Sequence, residues 1–471
     1  MNGSPPGVIL VAHGSARSGE SAEPVLALAE ALSARGFPEV RTAFWKEEPF
    51  LHQALDTTRS STVAVLPVFL AEGYFSRTVV PRELGIQYGV NLVGGRHVHL
   101  LPPLATAATL AEIVVERARE ATPPGVAPSD AALVILGHGT PRDSGSASAV
   151  LRVCAKLEAA GGFARVAPAF IDQDPLLEGV LALLSEPVVL VAPFLVAAGY
   201  HGGTTVPQEL GRSNHTITMP AGRRRIVYAE PVGTHRLMID LAEKVLSETG
   251  AASAAPGAMS PSPLAGLERA LAELLERSGK AVLLQVEARV HGDDHFELRH
   301  TDDSAVDPAE LEELATVRSL ARLARKRTDG GHRPLRTAED LPRGWRLSVS
   351  RLRGLVEALV AVYGPALTHW YLAETGALRA GSFRETAQRQ TGIYARLGSV
   401  SPELVATAIG RCCEGLPCLR VHRWSDDGHP PRPSLANPDT VGTRLVVPCP
   451  APCPILLSTA LELTAGAEES G

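Results

Sequence analysis

Short runs of uninterrupted apolar residues alternate with amphipathic stretches through the first half of the chain. VILVAH is followed by EPVLALAEALSARG, VRTAFW by PFLHQALDTT, and TVAVLPVFL comes next. The order then restarts with ALVILGH, SASAVLRVCAKLEAAGG, RVAPAF, PLLEGVLALL and PVVLVAPFL. Strands that are apolar throughout, separated by helical periodicity, predict a parallel sheet covered on both faces. Right-handed crossovers make each set a small doubly wound α/β lobe. The expected fold class is therefore α/β, with two tandem doubly wound parallel-sheet lobes followed by an α+β accessory region.

The two sets also match residue by residue. VILVAHGS and LVILGHGT align His13 with His138, and TAFWKEEPF and PAFIDQDPL pair Phe44 with Phe170 and Pro49 with Pro175. PVFLAEGYFSRTVVPREL matches PFLVAAGYHGGTTVPQEL, where Phe75 of the first copy faces His201 of the second. His13 and His138 fall just past the C-terminal ends of their first strands, where open α/β sheets bind ligands. A single histidine there reads more simply as a polar residue bonded to backbone. The recurrence of His-Gly-Ser/Thr on both lobes, with His201 on a neighbouring loop, points instead to a site. Imidazoles can hold a divalent metal or act as general bases. No third strong ligand stands beside them, which suits a metal in transit. Glu72, opposite Ala198, either supplies a carboxylate where the first lobe lacks its second histidine or is a solvated surface residue.

Downstream, TGAASAAPGAMSPSP reads as a linker. The helix LAGLERALAELLERSG follows, then a hairpin of KAVLLQVEARV and HFELRH around His291-Gly-Asp-Asp. Residues 308–325 and 349–363 read as helices, and Ser401-Pro402-Glu403 starts another that runs to Cys412. The tail ending TAGAEESG reads as disordered. The expected boundaries are 1–125 and 126–249 for the lobes, 250–263 for the linker, 264–400 for an accessory α+β domain and 401–471 for a cysteine domain.

The chain has 471 residues, a net charge of −6 and six cysteines. Nothing in that charge points to nucleic acid. There is no basic leader and no apolar run of the ~20 residues a membrane span needs, so the expected location is cytoplasmic. Cys154 lies on the apolar side of a predicted helix and reads as core. Cys412, Cys413, Cys418, Cys449 and Cys453 crowd the last sixty residues, which in a reducing compartment reads as metal binding before disulfides. C-x5-C followed by C-x3-C departs from zinc-finger spacing, whereas an iron–sulfur cubane takes four thiolates from loops. The candidates are Cys412, Cys418, Cys449 and Cys453, with Cys413 an alternative to Cys412.

The series HGS/HGT, A-F near a proline, and P-F-L-x-x-x-G-Y-H resembles the class II chelatases of the CbiX type, over about residues 7–245. The resemblance implies insertion of a divalent metal, Co²⁺ or Fe²⁺, into sirohydrochlorin in cobalamin or siroheme synthesis. It assigns metal binding and help with pyrrole deprotonation to His138 and His201, and EPVGTHR resembles the family's later G-x-H stretch. Sirohydrochlorin is a polycarboxylate, for which Arg77, Arg82, Arg142 and Arg223–Arg225 are candidates. The chain departs from the family in lacking a carboxylate two places before Pro207 and Pro81, and His13 faces Phe75. One active site is therefore expected, on the second lobe, with the first contributing shape, His13 and Glu72. RCCEGLPC and VVPCPAPCPILL resemble a long subgroup with an appended stabilising domain and a [4Fe–4S] domain, which implies that Cys412, Cys418, Cys449 and Cys453 hold the cluster. A tetrapyrrole or metal carrier with a redox-sensing cluster is the alternative, and a redox enzyme acting on siroheme-like compounds a third. Fusion of two lobes makes a functional monomer possible.

Overall fold

The computed structural model describes residues 6–104, 109–140, 144–197, 216–218, 225–248, 263–390, 392–414, 418–422, 424, 444–445 and 447–468. The chain divides into two compact units. One comprises Met1–His13, Glu20–Thr42 and Ser60–Met259, and the other Gly14–Gly19, Ala43–Arg59 and Ser260–Gly471.

In chain order the first lobe supplies β1 (Gly7–Ala12), α1 (Glu23–Ala34), β2 (Val40–Phe44), β3 (Thr62–Pro67), α2 (Val80–Leu84), β4 (Gly89–Val93), β5 (Arg96–Leu100) and α3 (Leu110–Ala121). The second supplies β6 (Ala131–Gly137), α4 (Ser144–Ala160), β7 (Arg165–Phe170), α5 (Leu177–Leu183), β8 (Val188–Pro193), β9 (Thr216–Thr218), β10 (Arg225–Tyr228) and α6 (Leu237–Glu248). The sheets have the same topology, β2-β1-β3-β5-β4 and β7-β6-β8-β10-β9. Every residue of β1 and β6 is buried, as expected for central parallel strands. Each sheet adds an antiparallel edge strand, β4 on β5 and β9 on β10. The segment PFLHQALDTT, expected as an α-helix, is a 3₁₀ helix over Leu51–Thr57. The Thr57 and Thr58 hydroxyls both donate to Ala54 O and close it off.

The lobes pack on each other within the first unit. Arg35 of α1 pairs with Asp240 and Glu243 of α6, and Arg117 of α3 donates to Thr234 Oγ1 at 2.9 Å. Such exposed pairs contribute little. Backbone proximity says more, because a Cβ on Gly145 in α4 would fall 1.9 Å from the carbonyl oxygen of Glu72.

The second unit contains α7 (Pro263–Ser278), β11 (Lys280–Leu283), β12 (Val286–Val290), β13 (His295–His300), β14 (Glu312–Glu313), α8 (Val317–Leu323), β15 (Trp345–Ser350), α9 (Arg351–Tyr363) and α10 (Ala366–Glu374). It continues with α11 (Phe383–Gln388), α12 (Pro402–Ile409), β16 (Val421–His422), β17 (Arg444–Leu445), β18 (Pro448–Cys449) and α13 (Pro454–Glu468). A six-stranded sheet, β14-β15-β13-β12-β11-β17, shares a core with the helices through Leu271, Val286, Leu298, Trp345, Leu355 and Tyr363. Two expectations are corrected here. KAVLLQVEARV is two strands, broken where Leu284 takes a positive φ of 51°. Residues 308–325 are not one helix. A 3₁₀ turn capped by Asp307 leads into the edge strand β14, and the Thr316 hydroxyl, accepting from Ser319 N, starts α8 anew. The tail is also more ordered than expected, because α13 runs to Glu468. Among the described residues no helix is long and apolar enough to cross a membrane.

Candidate active site and cysteine centre

Both His-Gly-Ser/Thr turns depend on their glycine. Gly14 and Gly139 have φ of +64° and +70°, the left-handed region that side chains avoid. A Cβ on Gly14 would stand 2.8 Å from Phe44 Cβ, and one on Gly139 would stand 2.5 Å from Gln173 Cγ and 2.9 Å from Phe170 Cβ. The loop after the second strand fixes each turn in the same manner. Glu47 Oε1 accepts from Ser15 N at 3.3 Å, and Gln173 Oε1 accepts from Thr140 N at 2.7 Å.

His138 is exposed at the end of β6. Its carbonyl accepts from Ile171 N and Asp172 N, and its Nδ1 lies 3.3 Å from Asp172 Oδ2. Nδ1 makes its hydrogen bond with Gly139 O at 3.0 Å, with the Asp172 carboxylate beside it, and an Nδ1–H held there leaves the ring's lone pair on Nε2, the usual arrangement behind a metal-binding histidine. The repeat match that singled out His201 also singles out Asp172, because Lys46 stands in its place in the first copy. His13 is exposed at the end of β1, with its ring centroid 5.1 Å from that of Phe75, which in turn sits 5.2 Å from Phe69.

His201, with the rest of the G-Y-H motif, lies outside the described residues, as do Arg142, Arg223 and Arg224. Glu72 is half-buried on the first-lobe loop. With burial as the larger cause, its charge helps push the Tyr88 hydroxyl up to about 12. Arg82 is paired with Glu83 at 2.8 Å. His235, in the G-x-H stretch, is buried between the lobes. Its Nε2 meets Glu120 at 3.1 Å and its Nδ1 accepts from Leu237 N, so both nitrogens are engaged in structure.

The cysteines converge in the second unit. Cys412 and Cys413 lie on a π turn after α12, Cys449 is on β18, and Cys453 precedes α13. These four line one apolar cluster with Phe383, Trp424 and Leu456. All are free thiols. Hydrogen bonds to Cys413 and Cys453, then burial, push the Cys412 thiol up, and the bond from Cys412 brings Cys453 down. Burial pushes Cys449 up, with Cys418, Cys453 and Cys413 adding to it. Cys418 Sγ lies 3.6 Å from Thr337 Oγ1, and burial pushes it up to about 11. Among the described residues no group of three or more His, Cys, Asp or Glu side chains forms a single-ion site.

Comparison with known proteins follows this division. The CbiX family model matches twice, over residues 7–121 and 132–249. A probable sirohydrochlorin cobaltochelatase of Halobacterium salinarum is 31% identical over 267 residues, covering 52% of this chain and 91% of that protein. The chain belongs to the CbiX family. Its remaining length matches a DR2241 stabilising domain over residues 268–374 and a 4Fe-4S iron–sulfur cluster binding domain over residues 375–462. The crystal structure of DR2241 from Deinococcus radiodurans is described as a multi-domain protein with structural similarity to chelatases and two additional novel domains. It superposes with a TM-score of 0.80 at 30% identity, covering 98% of this chain and 100% of that one.

The donor set of this CbiX-family chain fits a [4Fe–4S] cluster. Burying several thiols together raises them, a cost that thiolate–iron bonds remove. Two of the sulfurs already receive backbone N–H bonds, Cys453 from Leu456 and Cys418 from Arg420. Such bonds stabilise ligating thiolates.

Proposed function

We propose that this CbiX-family chain inserts Co²⁺ or Fe²⁺ into a sirohydrochlorin-like tetrapyrrole, at one site on the second lobe. His138 and His201 receive the metal, and Gly139 O, with the Asp172 carboxylate beside it, holds His138 in the required tautomer. The observation that carries this reading is the ring pair of the first lobe. His13 and Phe75 occupy the positions that the repeat gives to His138 and His201, with centroids 5.1 Å apart. A separation of that order is short enough for two imidazoles at such positions to share one ion. The first lobe, with phenylalanine at that position, has one ligand and serves to close the cleft.

The reaction exchanges one divalent ion for two pyrrole N–H protons. Neutral imidazoles hold the ion until ring nitrogens replace them, and nearby bases accept the protons. We assign that second role to the histidines themselves, with His13 and Glu72 contributing from the first lobe. Cys412, Cys418, Cys449 and Cys453 are the proposed cluster ligands. When bound, the cluster supplies structural cross-linking and one-electron redox chemistry, neither of which metal insertion itself consumes. The proposed organisation is the two lobes to residue 249, a linker to 263, the accessory domain to 400 and the cluster domain beyond.

Turnover is the test. Anaerobically purified protein mixed with sirohydrochlorin and excess Co²⁺ or Fe²⁺ should convert many equivalents, followed by the absorption change, faster than the uncatalysed reaction. Conversion of a single equivalent, or binding of tetrapyrrole without insertion, would replace this reading with the carrier.

A further inference from the structure

Arg420 is buried beside the cysteine centre, with its side chain 4% exposed. Its backbone N–H bonds the sulfur of Cys418. In the side chain, Nη2 donates to Glu48 Oε1 at 2.9 Å and Nη1 meets His369 Nδ1 at 3.1 Å. The remaining nitrogen, Nε, is buried and has no hydrogen-bond partner among the described residues. A buried N–H is rarely left unpaired. The guanidinium interacts electrostatically first with Glu48 and then with Cys449, Cys418 and Cys453.

The partners of Arg420 are themselves fixed. Glu48 uses its second oxygen to accept from Arg336 N at 2.6 Å, and His369 is anchored to Asp56 at 3.3 Å. Glu48 comes from the loop after β2, and its equivalent in the second copy is Asp174, two residues beyond Asp172. The loop that carries Asp172 toward His138 in one lobe thus serves the cysteine centre in the other.

We propose that Arg420 positions and tunes the iron–sulfur cluster, donating Nε–H to its sulfur and holding its reduction potential up, with Glu48 as the opposing charge. The inference rests on the cysteines being cluster ligands. Reduction adds one electron and one negative charge to an already anionic cluster, with no proton required. A fixed cation in a low-dielectric setting favours that product, and a carboxylate behind it opposes it. The two side chains therefore have opposite signs of effect, which a purely structural pair does not.

The experiment is a mediated redox titration of the full chain, reconstituted anaerobically with iron and sulfide, using a low-potential one-electron reductant and reading the reduced cluster by EPR. Arg420→Gln should lower the reduced-to-oxidised ratio at fixed potential by about tenfold or more, which is about 59 mV for one electron. Glu48→Gln should shift it the other way, and Arg420→Lys should fall between wild type and Arg420→Gln. If Arg420→Gln takes up no cluster, Glu48→Gln decides: a raised potential upholds the proposal and an unmoved one overturns it. Potentials unchanged in both variants at full iron and sulfide content remove this inference alone. Wild-type protein that incorporates no iron and sulfide removes the cluster reading, and the inference with it.

Discussion

Replacing Gly139 by alanine tests how the second lobe holds its histidine. The residue has φ of +70°, and its new Cβ would meet Gln173 Cγ at 2.5 Å and Phe170 Cβ at 2.9 Å. Left-handed backbone costs an alanine about 1–2 kcal/mol and overpacking about 1–3 kcal/mol, offset by under about 1 kcal/mol from a stiffer unfolded chain. The expected net loss is about 2–4 kcal/mol, or a fall in melting temperature of about 5–15 °C. The clash pushes on Gln173, which bonds Thr140 N at 2.7 Å, and on the chain leading to Asp172. Co²⁺ affinity should therefore weaken by about 10–100-fold, the usual cost of disturbing a ligand's support. Gly14→Ala is the internal control. It has φ of +64° and a Cβ 2.8 Å from Phe44 Cβ, so its stability loss should be similar. Its Co²⁺ affinity should stay at wild type, because the first lobe lacks the second histidine. Denaturant melts and calorimetric Co²⁺ titration of both variants give the answer. Equal weakening in the two, or a Gly139→Ala protein with wild-type affinity and stability, would refute the reasoning.

Asp172→Asn should weaken Co²⁺ binding about 10–100-fold while leaving the melting temperature nearly unchanged, because His138 and Asp172 are 52% and 51% exposed. Cys449→Ala should abolish incorporation of iron and sulfide and lower stability yet retain metal insertion by the lobes; loss of all turnover in a folded variant would speak against a structural or regulatory cluster. Cys412→Ala should lose the cluster and Cys413→Ala keep it, read by iron content. Burial, with help from Arg325 and Arg336, holds His332 down to about 4, against its bonds to Ser15 and Arg325. Its folded value lies below its unfolded one, so its stability contribution is complete above about pH 6.5 and is lost as pH falls toward 4. The size is about 3 kcal/mol. The unfolding free energy of wild type, from urea titrations, should drop relative to that of His332→Gln by that amount as pH falls across the window, since neighbouring Glu47, which burial raises, is common to both. Parallel pH curves would contradict this.

The repeat made the lobes legible because each central strand is apolar along its whole length, a pattern only a sheet covered on both faces explains. The antiparallel edges were not legible. β4 carries Val90 and Leu92 with 68% and 72% exposure, so its apolar residues mark no core. In residues 308–325 helical spacing of Leu311, Leu314 and Val317 hid two caps, Asp307 and Thr316, which cut the segment. Asp172 was legible by the comparison that found His201, since both are positions where the copies differ in chemistry. The Arg420–Glu48 pair was beyond sequence reasoning, because its members lie 372 residues apart and nothing in the repeat segment that holds Glu48 points to Arg420. The cysteines announced a centre by crowding, and the fold adds which of them touch.

The central claim, one metal site on the second lobe, is tested most directly by Co²⁺ affinity and initial insertion rate in His138→Ala, His201→Ala and His13→Ala measured side by side. The first two should each lose about 100-fold or more in affinity and rate, while His13→Ala binds Co²⁺ as wild type does. Full activity in His201→Ala, or an equal loss of Co²⁺ affinity in His13→Ala, would contradict it.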